Sequence, residues 1–257
     1  MTKRYEFIET EITEKTGRLI LNRPPVNVIN IDMMREITAC LKEFAIDDSL
    51  RLIVIAAKGK FFSAGMDVDD HRPEKVHTMI KEFGELFLTM EKIHTPILAA
   101  VQGSVLGGGL EIVSFCDMIV ASDKAKFGNP EIKVGFFPPV SAVIFPHLVG
   151  HPMTMEIICT GESITAERAY QTGLINRVFL SDNFETETES FINSITQNSG
   201  SILRFNKRAV KETEHLPFDK ALEKASDIFL NELMKSDDTA EGIKAFFEKR
   251  KPLWKDS

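Results

Sequence analysis

Three short apolar runs rich in β-branched residues mark the first half of this 257-residue chain: RLIVIAA at 51–57, TPILAAVQG at 95–103 and MIVASD at 118–123. A run of that length with no polar alternation suits a strand covered on both faces, and therefore a parallel sheet. The first run leads into the small-residue loop KGKFFSAGMD, and the second into VLGGGLE, which opens a helix. Parallel neighbours need long crossover connections, so strand, glycine loop and helix in succession restrict the chain to α/β topologies. In such folds ligands collect where strands hand over to helices.

The flanking segments fit that frame. TEITEK and GRLILN surround a turn at 14–17 and RPP stops the run, which predicts a hairpin. Ile31, Met34, Ile37, Leu41 and Phe44 recur at steps of three and four, so 30–44 reads as an amphipathic helix capped by Asn30 or Asp32. A second helix is expected over 73–93. Beyond Gly150 strand signals fade except in GLINRVFL, and helical patterns follow at 153–159, 166–171, 184–197, 201–214, 218–234 and 239–249. The length suits one large domain or one domain with a small appendage, read as a core over 1–195 and a helical region over 196–257. No internal repeat or low-complexity segment interrupts the chain.

Composition excludes several classes. Hydrophobic residues at 43% and charged residues at 27% describe an ordinary folded chain. A formal charge of −7 opposes a sequence-independent grip on nucleic acid. The polar start MTKRYEFIETEITEK has no apolar run of signal-peptide type, and no stretch reaches the ~20 residues of a membrane helix. A cytoplasmic protein without membrane or nucleic-acid partners is expected. Cys40, Cys116 and Cys159 form no CxxC pattern and are expected as buried thiols.

Chemistry-bearing motifs are few. GGGLE at 107–111 follows a strand and opens a helix, so its free amides could hold an oxyanion or phosphate, although a tight turn needs glycine equally. It matches neither GxGxxG nor GxxxxGK[ST]. SAGMD at 63–67 is a turn by itself, but beside GGGLE it would add a second amide donor, as a thioester enolate requires. Glu111 lies in the first turn of its helix, a routine place for a carboxylate. Glu131, in FGNPEI, follows a proline that fixes its approach. The two carboxylates form an acid/base pair only if the fold brings them together. The six histidines, His71, His77, His94, His147, His151 and His215, make no HxH or HExxH pattern. His147 and His151 are four apart, but Pro146 and the Gly-His-Pro that follows are expected to break that helix, so no metal site is expected.

With these motifs in place, RLILNRP, FFSAGMD, VLGGGLEIVSFCDMIVASDKAKFGNPEIKVG, TGESITAERAYQTGLINRV and EGIKAFFEKRKPLW, in this order, resemble the enoyl-CoA hydratase/isomerase (crotonase) superfamily. The resemblance implies an α/β spiral of ββα repeats in two roughly perpendicular sheets. It also implies a C-terminal helical region that assembles trimers, usually paired into hexamers. The implied oxyanion hole is the amides of Met66 and Gly108, and Glu111 and Glu131 match both catalytic glutamates of the hydratases. Coenzyme A would lie against Arg23, Pro25, Val26, Ser63, Ala64 and Met66, with Phe246 and Lys249 reaching it from a neighbouring subunit. No metal or redox cofactor is implied; the partner is an acyl-CoA substrate.

After Gly135, where straight-chain hydratases carry a glycine-rich stretch, this chain reads FFPPVSAVIFPHL. Phe136, Phe137, Pro139 and Val140 would thus make a shorter, flatter acyl pocket, with only one of the two phenylalanines expected to face the slot and Phe137 the candidate. Together with NVIN, MDVDDH and SILRF, this is similar to the cyclohexa-1,5-diene-1-carbonyl-CoA hydratases of anaerobic benzoyl-CoA degradation. The implied reaction is a 1,4-addition of water giving 6-hydroxycyclohex-1-ene-1-carbonyl-CoA. The alternatives are a short-chain enoyl-CoA hydratase or isomerase, and a non-catalytic CoA- or RNA-binding relative, against which the charge and both glutamates count.

Overall fold

The computed structural model describes residues 5–13 and 15–257. The N-terminal polar segment 1–4 and Glu14 of the expected turn lie outside the described residues. The elements in chain order are β1 (Ile8–Ile12), β2 (Thr16–Leu21), α1 (Ile31–Ala45), β3 (Leu52–Ala57), β4 (Phe61–Ser63), α2 (Val76–Lys92), β5 (Ile97–Val101), β6 (Ser104–Leu106), α3 (Gly108–Ser114), β7 (Met118–Ser122) and β8 (Lys126–Gly128). They continue as α4 (Pro139–Leu148), α5 (His151–Thr160), β9 (Ile164–Thr165), α6 (Ala166–Gln171), β10 (Arg177–Phe179), α7 (Phe184–Thr196), α8 (Gly200–Lys211), α9 (Phe218–Asn231) and α10 (Asp237–Phe247).

Two sheets share the chain in alternation. The order β1-β2-β3-β5-β7-β10 makes a six-stranded sheet and β4-β6-β8-β9 a four-stranded one. β3, β5 and β7 enter the first sheet, and the strand after each, β4, β6 and β8, enters the second. This is the spiral of ββα turns that the family resemblance implies. β1 and β2 pair antiparallel from Ile8 opposite Leu21 to Ile12 opposite Gly17, so Thr16 and Gly17 already belong to the strand rather than to the expected turn. From β2 onward the sheet is parallel, β2 with β3, β3 with β5, β5 with β7 and β7 with β10.

The three long runs are buried throughout their length or nearly so, as their composition requires: β5 is wholly buried and β3 exposes only its last two residues partly. α1 begins where Asn30 accepts the Met33 amide and turns Met33, Met34, Ile37, Leu41 and Phe44 into the core. α1 and α2 pack against each other over the main core, which also takes Phe62, Phe127 and Phe145.

Three expectations need correction. Phe61–Ser63 is a strand, not loop; three residues carry too little pattern to show it. Pro139–Leu148 is a helix that contains Pro146; the proline falls near its end, where few backbone bonds remain to be lost. His147 and His151 nevertheless occupy different helices. Of the cysteines only Cys40 is buried; Cys116 is half-buried and Cys159 exposed.

α8, α9 and α10 contribute only Ile228 and Ala245 to the buried apolar residues, while Phe218, Phe229, Leu230, Phe246 and Phe247 lie exposed and Leu233 half-buried. The chain end is tied down: Asp256 pairs with the buried Arg51 at 2.8 Å, and Asp238 accepts the amides of Lys255 and Asp256. Among the described residues no helix is long and apolar enough to cross a membrane.

Candidate active site

Both glycine loops meet over one cavity. Gly107 takes φ +52°, a backbone conformation that glycine adopts at little cost, and donates its amide to the Gly128 carbonyl. The chain then enters α3, whose first amides have no partner within the helix. In the facing loop Ala64 donates to Val26, Gly65 to the Ser63 hydroxyl and Asp67 to Ile29. Among the described residues no acceptor is recorded for the amides of Met66 and Gly108. A Cβ on Gly108 would come within 2.5 Å of Met66 Cγ, so the two loops touch and no larger residue fits at 108.

Glu111, one turn into α3, is only 2% exposed. Its Oε1 accepts the amides of Val140 at 2.6 Å and Ser141 at 2.9 Å. Those amides belong to the first turn of α4, which Pro138 and Pro139 start with the preset φ of proline. A carboxylate there meets unpaired N–H groups and the positive end of the helix dipole. Burial nevertheless pushes the Glu111 carboxyl up to about 8; the two amides pull the other way and the charge of Glu131 adds to the rise.

Glu131 sits in the 3-10 turn Pro130–Val134. Its Oε1 lies where a side chain on residue 107 would be, 2.9 Å from that Cβ, a second reason for glycine at this position. Its Oε2 is buried with no hydrogen-bond partner among the described residues. Burial raises this carboxyl too, opposed by its own amide, Asn129 and His71. Burial thus raises both carboxyls, and the charge of Glu131 adds to the rise of Glu111.

Glu111, Glu131, Met66, Ala64 and Gly107 line a cavity of about 260 Å³ whose other walls include His71, Phe83, Phe136, Phe137 and Pro139. Gly108 is not part of that lining; the Met66 side chain lies where a Cβ at 108 would be. Phe136, 40% exposed, stacks on His71 with ring centroids 4.7 Å apart, and Phe137 is 70% exposed. Both rings line the cavity, contrary to the expectation for one alone, and Phe136 is the more enclosed. Val140 does not line it: its side chain packs on the main core and its amide serves Glu111.

Arg23, Pro25 and Val26 border a separate cavity of about 330 Å³ with Asp67, to which the Arg23 guanidinium reaches at 3.4 Å. Ser63 is wholly buried; its hydroxyl donates to the Asn27 carbonyl and accepts the Gly65 amide. It builds the loop and does not face a ligand, which corrects its expected role. Phe246 is 79% exposed, Lys249 follows α10 on the surface, and neither lines either cavity. His71 and Asn129 are additions that no sequence pattern marks. His71 Nδ1 lies 2.9 Å from the Asp67 carbonyl, which only accepts, so this nitrogen carries hydrogen. Among the described residues no cluster of three His, Cys, Asp or Glu side chains could hold a metal ion.

A family profile described as enoyl-CoA hydratase/isomerase matches residues 11–257. The chain belongs to the enoyl-CoA hydratase/isomerase family. A cyclohexa-1,5-dienecarbonyl-CoA hydratase of Thauera aromatica is 35% identical over 92% of each chain. A probable enoyl-CoA hydratase of Mycobacterium leprae is 34% identical over 97% of this chain and 98% of its own. A crotonyl-CoA hydratase of Syntrophomonas wolfei is 33% identical over 96% and 97%. The crystal structure of an enoyl-CoA hydratase from Mycobacterium smegmatis superposes with a TM-score of 0.92 at 27% identity, over 97% of this chain and 99% of that one. Membership of this crotonase-fold family supports a hydro-lyase of enoyl-CoA thioesters.

Proposed function

We propose that this chain is a hydro-lyase that adds water to cyclohexa-1,5-diene-1-carbonyl-CoA in the anaerobic breakdown of aromatic acids, giving 6-hydroxycyclohex-1-ene-1-carbonyl-CoA. The observation that carries the hydratase reading is the partnerless Glu131 Oε2 in the same cavity as Glu111, beside the open amide of Met66. With the thioester carbonyl against the amides of Met66 and Gly108, the glutamate pair takes a proton from water. The hydroxyl then bonds to the ring carbon β to the carbonyl, and the electron pair moves onto the carbonyl oxygen as a dienolate. The pair returns a proton to the far carbon of the dienolate, leaving one ring double bond conjugated with the thioester. A single oxyanion donor is worth about 10²–10³ in rate, and general acid/base action about 10²–10⁴. The reading uses no metal or redox cofactor.

The ring is supported by the cavity walls, where Phe83, Phe136 and Phe137 present aromatic surface to an acyl group. It is also supported by the Thauera relative; relatives named for linear or unspecified enoyl substrates are equally similar, so the walls carry that choice. The exposure of Phe137 favours a second reading, a short-chain enoyl-CoA hydratase or isomerase whose chain leaves through the open side. We read 1–195 as the catalytic spiral and 196–257 as the part that joins subunits into a trimer or hexamer and brings a neighbour's Phe246 and Lys249 to coenzyme A, which itself lies along Arg23, Pro25, Val26, Ala64 and Met66. Its site is cytoplasmic.

Glu111→Gln and Glu131→Gln test the mechanism. Each should lower turnover at least about 10²-fold with thioester binding within a few-fold, since each removes proton transfer and little ground-state contact. Near-wild-type turnover in either variant removes that glutamate from the reaction.

A further inference from the structure

Behind the two glutamates lies a buried polar chain that neither the fold nor the oxyanion loops require. Ser141 and Asn129 are both 0% exposed. The Ser141 amide donates to Glu111 Oε1 at 2.9 Å, and the Ser141 hydroxyl lies 3.2 Å from Asn129 Oδ1. The Asn129 amide nitrogen in turn reaches Glu131 Oε1 at 3.5 Å. Thus α3, the turn holding Glu131 and the start of α4 are joined through one serine and one asparagine. Neither of these two side chains has any other recorded side-chain hydrogen bond among the described residues.

The direction of the chain follows from its ends. Ionised, Glu131 only accepts, so Asn129 turns its NH₂ toward Glu131 and its oxygen toward Ser141, and the serine hydroxyl donates. Turned the other way, the amide oxygen would face a carboxylate oxygen with no hydrogen between them. The serine hydroxyl then satisfies the Asn129 oxygen in the orientation that Glu131 imposes. Burying a hydroxyl and an amide is unfavourable unless both are satisfied. Apolar residues of like volume would serve packing alone, so the polar pair has a use in the site.

We infer that Ser141 and Asn129 are positioning residues that hold Glu131 in register with Glu111, so that a reactant between them meets both carboxyls at once. The inference rests on the hydratase reading of the site. Ser141 anchors Glu111 by its backbone, which survives substitution, so the loss of its hydroxyl acts on Glu131 alone. The bond from Asn129 also favours the charged form of Glu131, so removing it raises that carboxyl further. The titratable groups sharing the cavity with Glu131 are Glu111, His71 and Lys133; they stay in place in each variant.

A double-mutant cycle on the full-length enzyme tests this, with kcat, KM and thermal melting read for Ser141→Ala and Asn129→Ala, each alone and combined with Glu131→Gln. The expected result is about a tenfold loss of kcat for either single variant with KM within about twofold, and less than about twofold further loss in the Glu131→Gln background. The acid limb of the kcat/KM profile of Asn129→Ala should move to higher pH. Should Ser141→Ala fail to fold, Asn129→Ala carries the same cycle. Wild-type kcat in both variants, or losses that multiply in full with that of Glu131→Gln, overturns the inference while leaving the site reading intact. If Glu131→Gln itself is as active as wild type, the reading of the site falls and the inference with it.

Discussion

Replacing Glu111 by glutamine should stabilise the protein at alkaline pH while it abolishes proton transfer. Glutamine keeps an oxygen for the Val140 and Ser141 amides and removes the ionisation. In the folded chain the Glu111 carboxyl holds its proton up to about 8, against 4.5 in its ordinary state, chiefly because it is buried. A group raised by folding contributes stability that is fully present below its unfolded value and is lost as pH climbs through the folded value. Across the interval from 4.5 to about 8, at about 1.4 kcal/mol per pH unit, the loss in wild type approaches about 5 kcal/mol. Coupling to Glu131 spreads part of that loss over the pair, which leaves Glu111 on the order of a few kcal/mol. With roughly 2–4 °C per kcal/mol for a chain of this size, Glu111→Gln should melt on the order of 10 °C above wild type at about pH 8.5. Near pH 5 the two should differ by a few degrees or less. Differential scanning at one fixed protein concentration reads both values and keeps any assembly term constant. A melting difference that is the same at both pH values would refute the argument, because it would show that Glu111 titrates in the folded chain as it does in the unfolded one.

Two further outcomes follow from the walls and the surface. Phe136→Gly should raise kcat/KM for linear enoyl thioesters relative to the cyclic dienoyl thioester, and more than Phe137→Gly does, because Phe136 is the more enclosed ring and stacks on His71; an unchanged ratio in both variants removes the pocket argument. Sedimentation at micromolar concentration should show a trimer or hexamer, since Phe218, Phe229, Leu230, Phe246 and Phe247 present more apolar surface than a monomer of this size keeps bare; a stable, active monomer contradicts it.

The buried strands β3, β5 and β7 and the helix α1 are legible in the chain because each carries a period or an unbroken apolar run longer than chance supplies. β4, β6 and β8 are three residues each, and they place the site. Their pattern is too short to read, so the residues alone suggest loops where only the family resemblance implies paired strands. The start of α4 is equally hidden: PPV at 138–140 marks a helix N-terminus in principle, but Pro146, six residues further on in the same helix, argues for a break. That missed helix is what holds Glu111, and it turned Val140 from an expected pocket wall into an amide donor. Ser141, Asn129 and His71 carry no spacing signal, because their roles depend on contacts between α4, the turn at Pro130–Val134 and the segment before α2. Glu111, Glu131, Met66 and Gly108 are legible as candidates. That Glu111, Glu131 and Met66 meet at one cavity required the fold.

The central claim is that this site hydrates a conjugated ring thioester. Its most direct test is kcat/KM measured side by side for cyclohexa-1,5-diene-1-carbonyl-CoA, cyclohex-1-ene-1-carbonyl-CoA and crotonyl-CoA. The cyclic diene should turn over fastest, with 6-hydroxycyclohex-1-ene-1-carbonyl-CoA as the product and one solvent proton fixed at the far ring carbon. Faster hydration of crotonyl-CoA than of the cyclic diene would contradict the account and assign the site to short linear chains.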